Sequence, residues 1–336
     1  MKKYLSILLI LAGAACNNSR QQSSPAAATA DSALYSDIVK PLTDSIRQFP
    51  DQHLLYYKRA LLLFNTNPAL ARADFEKAAG LFPQGTDYWA GAGEAALITN
   101  DFRLASTFFT KALGTAPGNP YLQYRLATAL IENKSYAQAD SLANVLAQTK
   151  EAAGRAFFLK ARIAEDHQDT TAAIQHLTAG INAGGKNAEY SAIMELGDLL
   201  GARKSAKAVK YYRLAWQQDS LNAEPMYAIA QYYESTGDRA SALSAYRQCI
   251  VADPGFEQAY LALGEIYSKQ QQWKEALSYY NLAVKSAPTD AWAYYHRGRC
   301  QEQLGNNTAA KEDYTKAISF KKDFKEAQAA LQKLVK

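Results

Sequence analysis

The chain has 336 residues, of which 48% are hydrophobic and 21% are charged, and this balance excludes a wholly disordered protein. Its formal charge of +5 falls to +3 once Lys2 and Lys3 are set aside. That excess is too weak to favour nucleic acid as a partner. Tyrosine, with 22 copies, is the residue type in clear excess.

The first residues predict an export signal. Lys2 and Lys3 precede an apolar run at residues 5–11, and small residues follow at 12–15. The apolar run is shorter than the about 20 residues that a membrane-spanning helix needs. We therefore assign residues 1–15 to a signal peptide.

Cys16 directly follows this segment, and the arrangement resembles the processing site of bacterial lipoproteins. The resemblance implies a lipid on Cys16 and a place in the bacterial cell envelope, in the outer membrane or on its periplasmic side. The lipoprotein family prefers Leu where this chain has Gly13. The alternative is a soluble periplasmic or secreted protein, because Ala12-Gly13-Ala14 also fits an ordinary signal peptidase. Residues 16–33 are mostly small and polar, which is typical of a flexible tether.

From His53 onward the chain repeats one pattern at a period of about 34 residues. In the clearest alignment Ala223, Glu257 and Ala291 are equivalent starts. Small residues then recur at two offsets and tyrosine at a third: Ala230, Gly264 and Gly298; Ala242, Ala276 and Ala310; Tyr246, Tyr280 and Tyr314. The i, i+3, i+4 spacing of apolar residues within each unit predicts two helices.

These residues resemble the tetratricopeptide repeat (TPR) family, whose pattern is W-x2-L-G-x2-Y, then A-x3-F, then A and P. The resemblance implies an all-α fold, a TPR α-solenoid in which antiparallel helix pairs form a right-handed superhelix. Eight units are predicted over residues 53–324, with starts at residues 53, 86, 120, 154, 189, 223, 257 and 291. Residues 34–52 are predicted to form a half-repeat cap, and residues 325–336 a capping helix.

No sequence motif indicates a catalytic site, a cofactor or a metal. The four histidines fall in different units and lack the spacing of a metal site. Cys249 and Cys300 stand where the repeat usually has alanine, so we interpret them as small buried residues. The sequence therefore predicts a protein without enzymatic activity, cofactor or bound metal.

In the TPR family, ligands usually lie in a concave groove that is lined by the first helix of each unit. Helical spacing assigns the candidate partner-binding residues as follows: Tyr121, Tyr124, Phe158, Arg162, Tyr190, Glu224, Tyr227, Glu234, Glu265, Trp292, Tyr295 and Arg299. Aromatic rings between carboxylates favour an extended peptide or protein that is basic or neutral.

The predicted function is a non-enzymatic protein–protein interaction scaffold that binds its partner in this groove. It would be lipid-anchored in the bacterial envelope, with Cys16 as its contact with the membrane and with no nucleic acid as a ligand. The alternative is an accessory subunit that delivers peptide substrates to an envelope enzyme or a secretion machine.

Overall fold

A computed structural model describes residues 30–335, which form nineteen α-helices, one short 3₁₀ helix at Gly185–Asn187 and no β-strand. The predicted all-α fold class is confirmed. The predicted signal peptide and Cys16 lie outside the described residues. The chain divides into two compact units, with described parts at residues 30–115 and 116–335.

The first unit contains six helices: α1 (Ala30–Leu34), α2 (Lys40–Gln48), α3 (His53–Leu63), α4 (Pro68–Leu81), α5 (Thr86–Ile98) and α6 (Phe102–Thr115). The second unit contains thirteen: α7 (Pro120–Glu132), α8 (Tyr136–Leu146), α9 (Ala153–Asp166), α10 (Thr170–Gly184), α11 (Tyr190–Ala202), α12 (Lys207–Gln218), α13 (Glu224–Thr236), α14 (Arg239–Ala252), α15 (Glu257–Lys269), α16 (Trp273–Ser286), α17 (Ala291–Gln303), α18 (Asn307–Phe320) and α19 (Lys325–Val335). Helices α3 to α18 form successive hairpins. In each hairpin the odd-numbered helix is the first helix and the even-numbered helix is the second.

The hairpin turns reverse the chain through a residue with left-handed backbone. Such residues stand in seven of the turns: Asn100, Lys134, Gln168, Lys204, Gly237, Gln271 and Gly305. At Gly237 (φ 84°) and Gly305 (φ 81°) the absence of a Cβ removes the steric cost of this conformation. The residue that follows the left-handed one often caps the start of the second helix. Asp238, for example, accepts a hydrogen bond from the backbone N–H of Ser241 (3.1 Å) at the start of α14.

Each hairpin buries small residues where its two helices approach. In α15 and α16, Gly264 and Ala276 are both buried, and the fully buried ring of Tyr280 fills the space beside Gly264. Even alanine does not fit at position 264, because its Cβ would lie 2.6 Å from Tyr280 Cε1. At position 276, a side chain larger than alanine would push the two helices apart. The repeated small residues of the sequence therefore set the distance between the helices.

One end of each unit is covered by an additional helix. In the first unit, Ile46 of α2 packs with Tyr56 of α3. In the second, Phe324 and Ala327, at the start of α19, are fully buried against Ala291 and Tyr294 of α17. None of the helices within residues 30–335 is long and apolar enough to cross a lipid bilayer.

Candidate protein-binding surface

The twelve candidate partner-binding residues all lie on first helices of the second unit. We call this set the first-helix face. Two of its aromatic residues are substantially exposed, Tyr121 (48%) on α7 and Trp292 (40%) on α17. Four charged members are also exposed: Glu224, Glu234, Glu265 and Arg299. The other six members are half-buried: Tyr124, Phe158, Arg162, Tyr190, Tyr227 and Tyr295.

Tyr124 is held in an electrostatic cluster between neighbouring first helices. Arg155 donates from Nε to Glu189 Oε1 (2.9 Å), and its guanidinium lies 5.6 Å from the centre of the Tyr124 ring. Burial, together with the charge of Glu189, raises the pKa of Tyr124 to about 12. The Tyr124 hydroxyl therefore stays protonated even at pH values where an exposed tyrosine ionises.

Arg162 is paired with a carboxylate of the preceding first helix. Its guanidinium donates to Glu132 Oε1 (2.5 Å) on α7. On the other side, the half-buried Glu195 carboxyl on α11 is hydrogen-bonded to Glu165, and burial and this hydrogen bond raise its pKa to about 9. Glu132 therefore compensates the positive charge of Arg162, whereas Glu195 is uncharged at neutral pH.

Two of the three exposed carboxylates of the first-helix face have partners. Glu234 accepts a hydrogen bond from the hydroxyl of Tyr246 (2.9 Å), and Lys269 lies 3.8 Å from Glu234 and 2.8 Å from Glu265. Glu224 forms no ion pair with any residue of the described chain. The face is therefore less acidic towards a ligand than its composition alone suggests, because several of its charges are already paired.

The contact between Tyr246 and Glu234 recurs in other hairpins, and the sequence analysis did not predict it. The Tyr314 hydroxyl donates to Glu302 (2.6 Å), and the Tyr212 hydroxyl donates to Asp198 (2.8 Å). The sequence pattern that could have predicted this contact is an acidic residue 12 or 14 positions before the second-helix tyrosine. These tyrosines thus reach the end of the first helix and orient its carboxylates.

Trp292 belongs both to the first-helix face and to the C-terminal end of the unit. Its ring meets the buried Phe324 ring edge-on, with centroids 4.5 Å apart, and stacks on His296 at 5.7 Å. The Lys321 ammonium lies 5.1 Å from the Trp292 centroid. One side of Trp292 is therefore structural, while its exposed remainder can contact a ligand.

Tyr190 and Tyr227 are likewise tied to their surroundings. The Tyr190 hydroxyl accepts a hydrogen bond from Asn222 Nδ2 (2.9 Å). Tyr227 lies 5.6 Å from Tyr246 and 5.3 Å from Phe256, measured between ring centroids. These contacts hold the rings in place, so they would lose little conformational entropy on binding a ligand.

The histidines and cysteines within residues 30–335 form no metal site. The four histidines, His53, His167, His176 and His296, each lie against an aromatic ring, and no group of three potential ligand side chains in that range could hold a metal. Cys249 and Cys300 are free thiols and are buried. Burial raises the pKa of Cys249 to about 12, which keeps this thiol protonated and unreactive at neutral pH.

Comparison with known proteins supports the repeat assignment. Models of the tetratricopeptide repeat match residues 57–120, 227–291 and 293–324. A curated human protein, general transcription factor 3C polypeptide 3, is 26% identical over 104 residues. That match spans 31% of this chain and only 12% of the human protein.

One of the compared solved structures supports the same kind of fold. The C-terminal part of a TPR repeat-containing protein from Cytophaga hutchinsonii aligns with a TM-score of 0.55 at 17% identity, over 71% of this chain and 98% of that chain. PilF from Pseudomonas aeruginosa aligns with a TM-score of 0.46 at 22% identity, over 60% of this chain and 92% of that chain. The chain therefore contains tetratricopeptide repeats, and its described residues have the all-helical fold of TPR proteins.

Proposed function

We propose that the protein is a non-enzymatic scaffold whose second unit binds an extended segment of a protein partner along the first-helix face. The observation that carries this proposal is that Tyr121 and Trp292 remain substantially exposed on first helices of one compact unit. Partly exposed aromatic rings that are fixed by their neighbours are typical anchors for a protein ligand. The TPR matches support the same role.

The pairing of charges indicates how a partner would be recognised. A basic residue of the partner can reach Glu224 directly, whereas it must compete with Lys269 for Glu265. An exchange of one surface ion pair for another changes the free energy little. We therefore assign most of the affinity to contacts with the aromatic rings, and to the carboxylates a role in orientation and association rate.

We test the binding face by placing a photo-crosslinking amino acid at Gln231, an exposed position of α13, in cells that express the full chain. Ser278, which is exposed on the second helix α16, is the matched control position. A partner should form a crosslinked adduct through Gln231. An excess of the same partner, purified without the crosslink, should lower the yield of that adduct. An adduct of equal yield at Ser278, or one formed only at Ser278, would refute the first-helix face as the binding surface.

We further propose that the protein is held in the bacterial envelope by a lipid on Cys16. The support is the sequence alone: the cysteine follows an export signal and precedes a polar tether. Cys16→Ala should move the protein from the membrane fraction to the soluble fraction, and should abolish labelling by a radioactive fatty acid. A wild-type protein that takes up no label would rule out lipidation, whatever its fractionation.

A further inference from the structure

The helix α12 and the turn before it carry a concentration of positive charge. Residues 199–218 contain five cationic side chains and no Asp or Glu: Arg203, Lys204, Lys207, Lys210 and Arg213. All five are exposed, and none forms an ion pair with the residues at 30–335. We call these five residues the α12 basic cluster.

Two other second helices of the same unit have a different surface. On α16, Glu275 follows Lys274, and on α18, Glu312 follows Lys311. Neighbouring positive and negative side chains of this kind keep a helix surface soluble without giving it an excess of positive or negative charge. The α12 basic cluster instead keeps five like charges close together, at a cost in mutual repulsion that an anionic ligand would relieve.

A cleft of about 620 Å³ lies beside these charges. Val209 and Leu214 of α12 and Tyr232 and Tyr233 of α13 contribute apolar surface to it, and Lys210 and Arg213 are among its charged residues. Its one carboxylate, that of Asp238, accepts the hydrogen bond that begins α14. The cleft thus combines partly buried apolar groups with exposed cations.

We propose that this cleft, the α12 cleft, binds an acidic peptide segment of a protein partner, at a surface separate from the first-helix face. An apolar side chain of the segment would lie against Val209, Leu214 and the tyrosine pair. Flanking carboxylates would pair with Lys210 and Arg213. The guanidinium of Arg213 can hold a carboxylate by two parallel hydrogen bonds, which adds direction to the charge attraction.

The shape of the site favours a peptide over other anionic macromolecules. A lipid surface is flat and would contact the exposed cations without using the apolar groups inside the cleft. Nucleic-acid bases need an accessible aromatic face for stacking. Tyr232 and Tyr233 are half-buried and meet edge to face, with centroids 5.7 Å apart and an interplanar angle of 65°. An aliphatic side chain between carboxylates fits this surface better.

The test uses the purified full chain and fluorescence anisotropy of a short labelled peptide that contains glutamates and two leucines. A second peptide has serines in place of the leucines. The leucine peptide should bind, and the serine peptide should bind about tenfold more weakly or worse. Binding of the leucine peptide should also weaken as salt is raised. Equal binding of both peptides, or no binding, would overturn the proposal.

Charge-reversal variants locate the site. Lys210→Glu combined with Arg213→Glu should weaken the leucine peptide about tenfold or more. Lys274→Glu combined with Lys285→Glu makes the same change in net charge on exposed positions of α16 and should leave binding within about twofold. Equal losses in both double variants would show that only net charge matters, and would refute the α12 cleft.

Two further probes decide between ligand classes. Vesicles of phosphatidylglycerol with phosphatidylcholine, and a short single-stranded DNA, are each measured against the same variants. If either binds through Lys210 and Arg213 while the leucine peptide does not bind, the acidic-peptide assignment is wrong. If the peptide binds with the expected dependence, substitution of Tyr121 on the first-helix face should leave its affinity unchanged, which separates this site from the proposed function.

Discussion

The ring of Phe109 on α6 occupies the space into which a side chain at position 93 of α5 would project. A Cβ on Gly93 would lie 2.8 Å from Cε1 and from Cζ of Phe109. The equivalent pair in α15 and α16 is tighter still, since a Cβ on Gly264 would lie 2.6 Å from Tyr280 Cε1. The glycine and the aromatic residue of a hairpin therefore act as one packing unit.

We expect Gly93→Ala to destabilise the first unit by about 1–3 kcal/mol, because the added methyl group must displace a fully buried ring. Gly114→Ala is the matched control in the same hairpin, since a Cβ there meets nothing within 4 Å. That change should be neutral or stabilising by up to about 1 kcal/mol, because alanine favours a helix. Thermal melts of the two variants are the measurement. A Gly93→Ala protein that melts at or above the wild-type temperature would contradict the packing role.

A buried ion pair joins α3 to α4. Arg59 donates from Nε and from the terminal guanidinium nitrogen to the two oxygens of Asp74, both at 2.7 Å, and also to Thr43 of α2 (3.1 Å). The Arg59 and Asp74 side chains are only 11% and 8% exposed. Arg297 and Asp313 repeat this two-point geometry in the second unit, at 2.9 and 2.6 Å.

Asp74→Ala should destabilise the first unit by about 3–5 kcal/mol, because it leaves the Arg59 charge buried without a partner. The double variant Arg59→Met with Asp74→Leu should recover most of this loss. Asp44→Ala, which removes an exposed pair with Lys40, should cost at most about 1 kcal/mol. Amide hydrogen exchange in α3 and α4 reports the effect locally. If Asp74→Ala and Asp44→Ala are equally mild, the buried pair has no such role.

The carboxyl of Glu195 should make stability depend on pH. Burial, the hydrogen bond with Glu165 and the charge of Asp198 raise its pKa to about 9, while Arg162 opposes the shift. Between the unfolded and folded pKa values the native state binds more protons, so this group lowers stability as pH rises.

Glu195→Gln should therefore stabilise the protein at pH 8 relative to wild type, with a smaller gain or none at pH 4. Glu275→Gln, at an exposed position of α16, is the matched control. Thermal melting curves of both variants and of the wild type at pH 4 and pH 8 are the measurement. A Glu195→Gln variant whose difference from wild type is the same at pH 4 and pH 8 would show that Glu195 titrates normally.

Substitutions on the first-helix face should separate affinity from association rate. Trp292→Ala should weaken partner binding by about 1–3 kcal/mol. It should also lower the melting temperature, because it removes the contact with Phe324. Trp292→Phe keeps a ring there and should restore most of the stability.

Glu224→Lys should mainly slow association with a basic partner. Surface plasmon resonance with the crosslinked partner gives both rates; unchanged rates in Trp292→Ala and Glu224→Lys would contradict the assignment.

The all-α repeat fold was predictable from the chain, because its determinants are local and periodic. Small residues such as Gly264 and Ala276, and aromatic residues such as Tyr280, recur at fixed offsets, and each offset corresponds to one side of a helix. Eight approximate copies of one pattern make the helix pairs recognisable even where a single copy is imperfect. The TPR assignment is confirmed over the residues that the repeat models match.

The partners of the charged and polar side chains were decided only by the tertiary structure. From the sequence, Glu234 and Glu265 were simply two acids on a helix face, but folding brings Tyr246 and Lys269 within reach of them. The sequence alone indicated an exposed aromatic residue at Trp292, but the packing of α19 places Phe324 against its ring. The physical reason is the distance along the chain over which each feature is determined. Helical periodicity is set by neighbours a few residues apart. A side chain's hydrogen-bond and ring contacts instead depend on how separate helices meet in space.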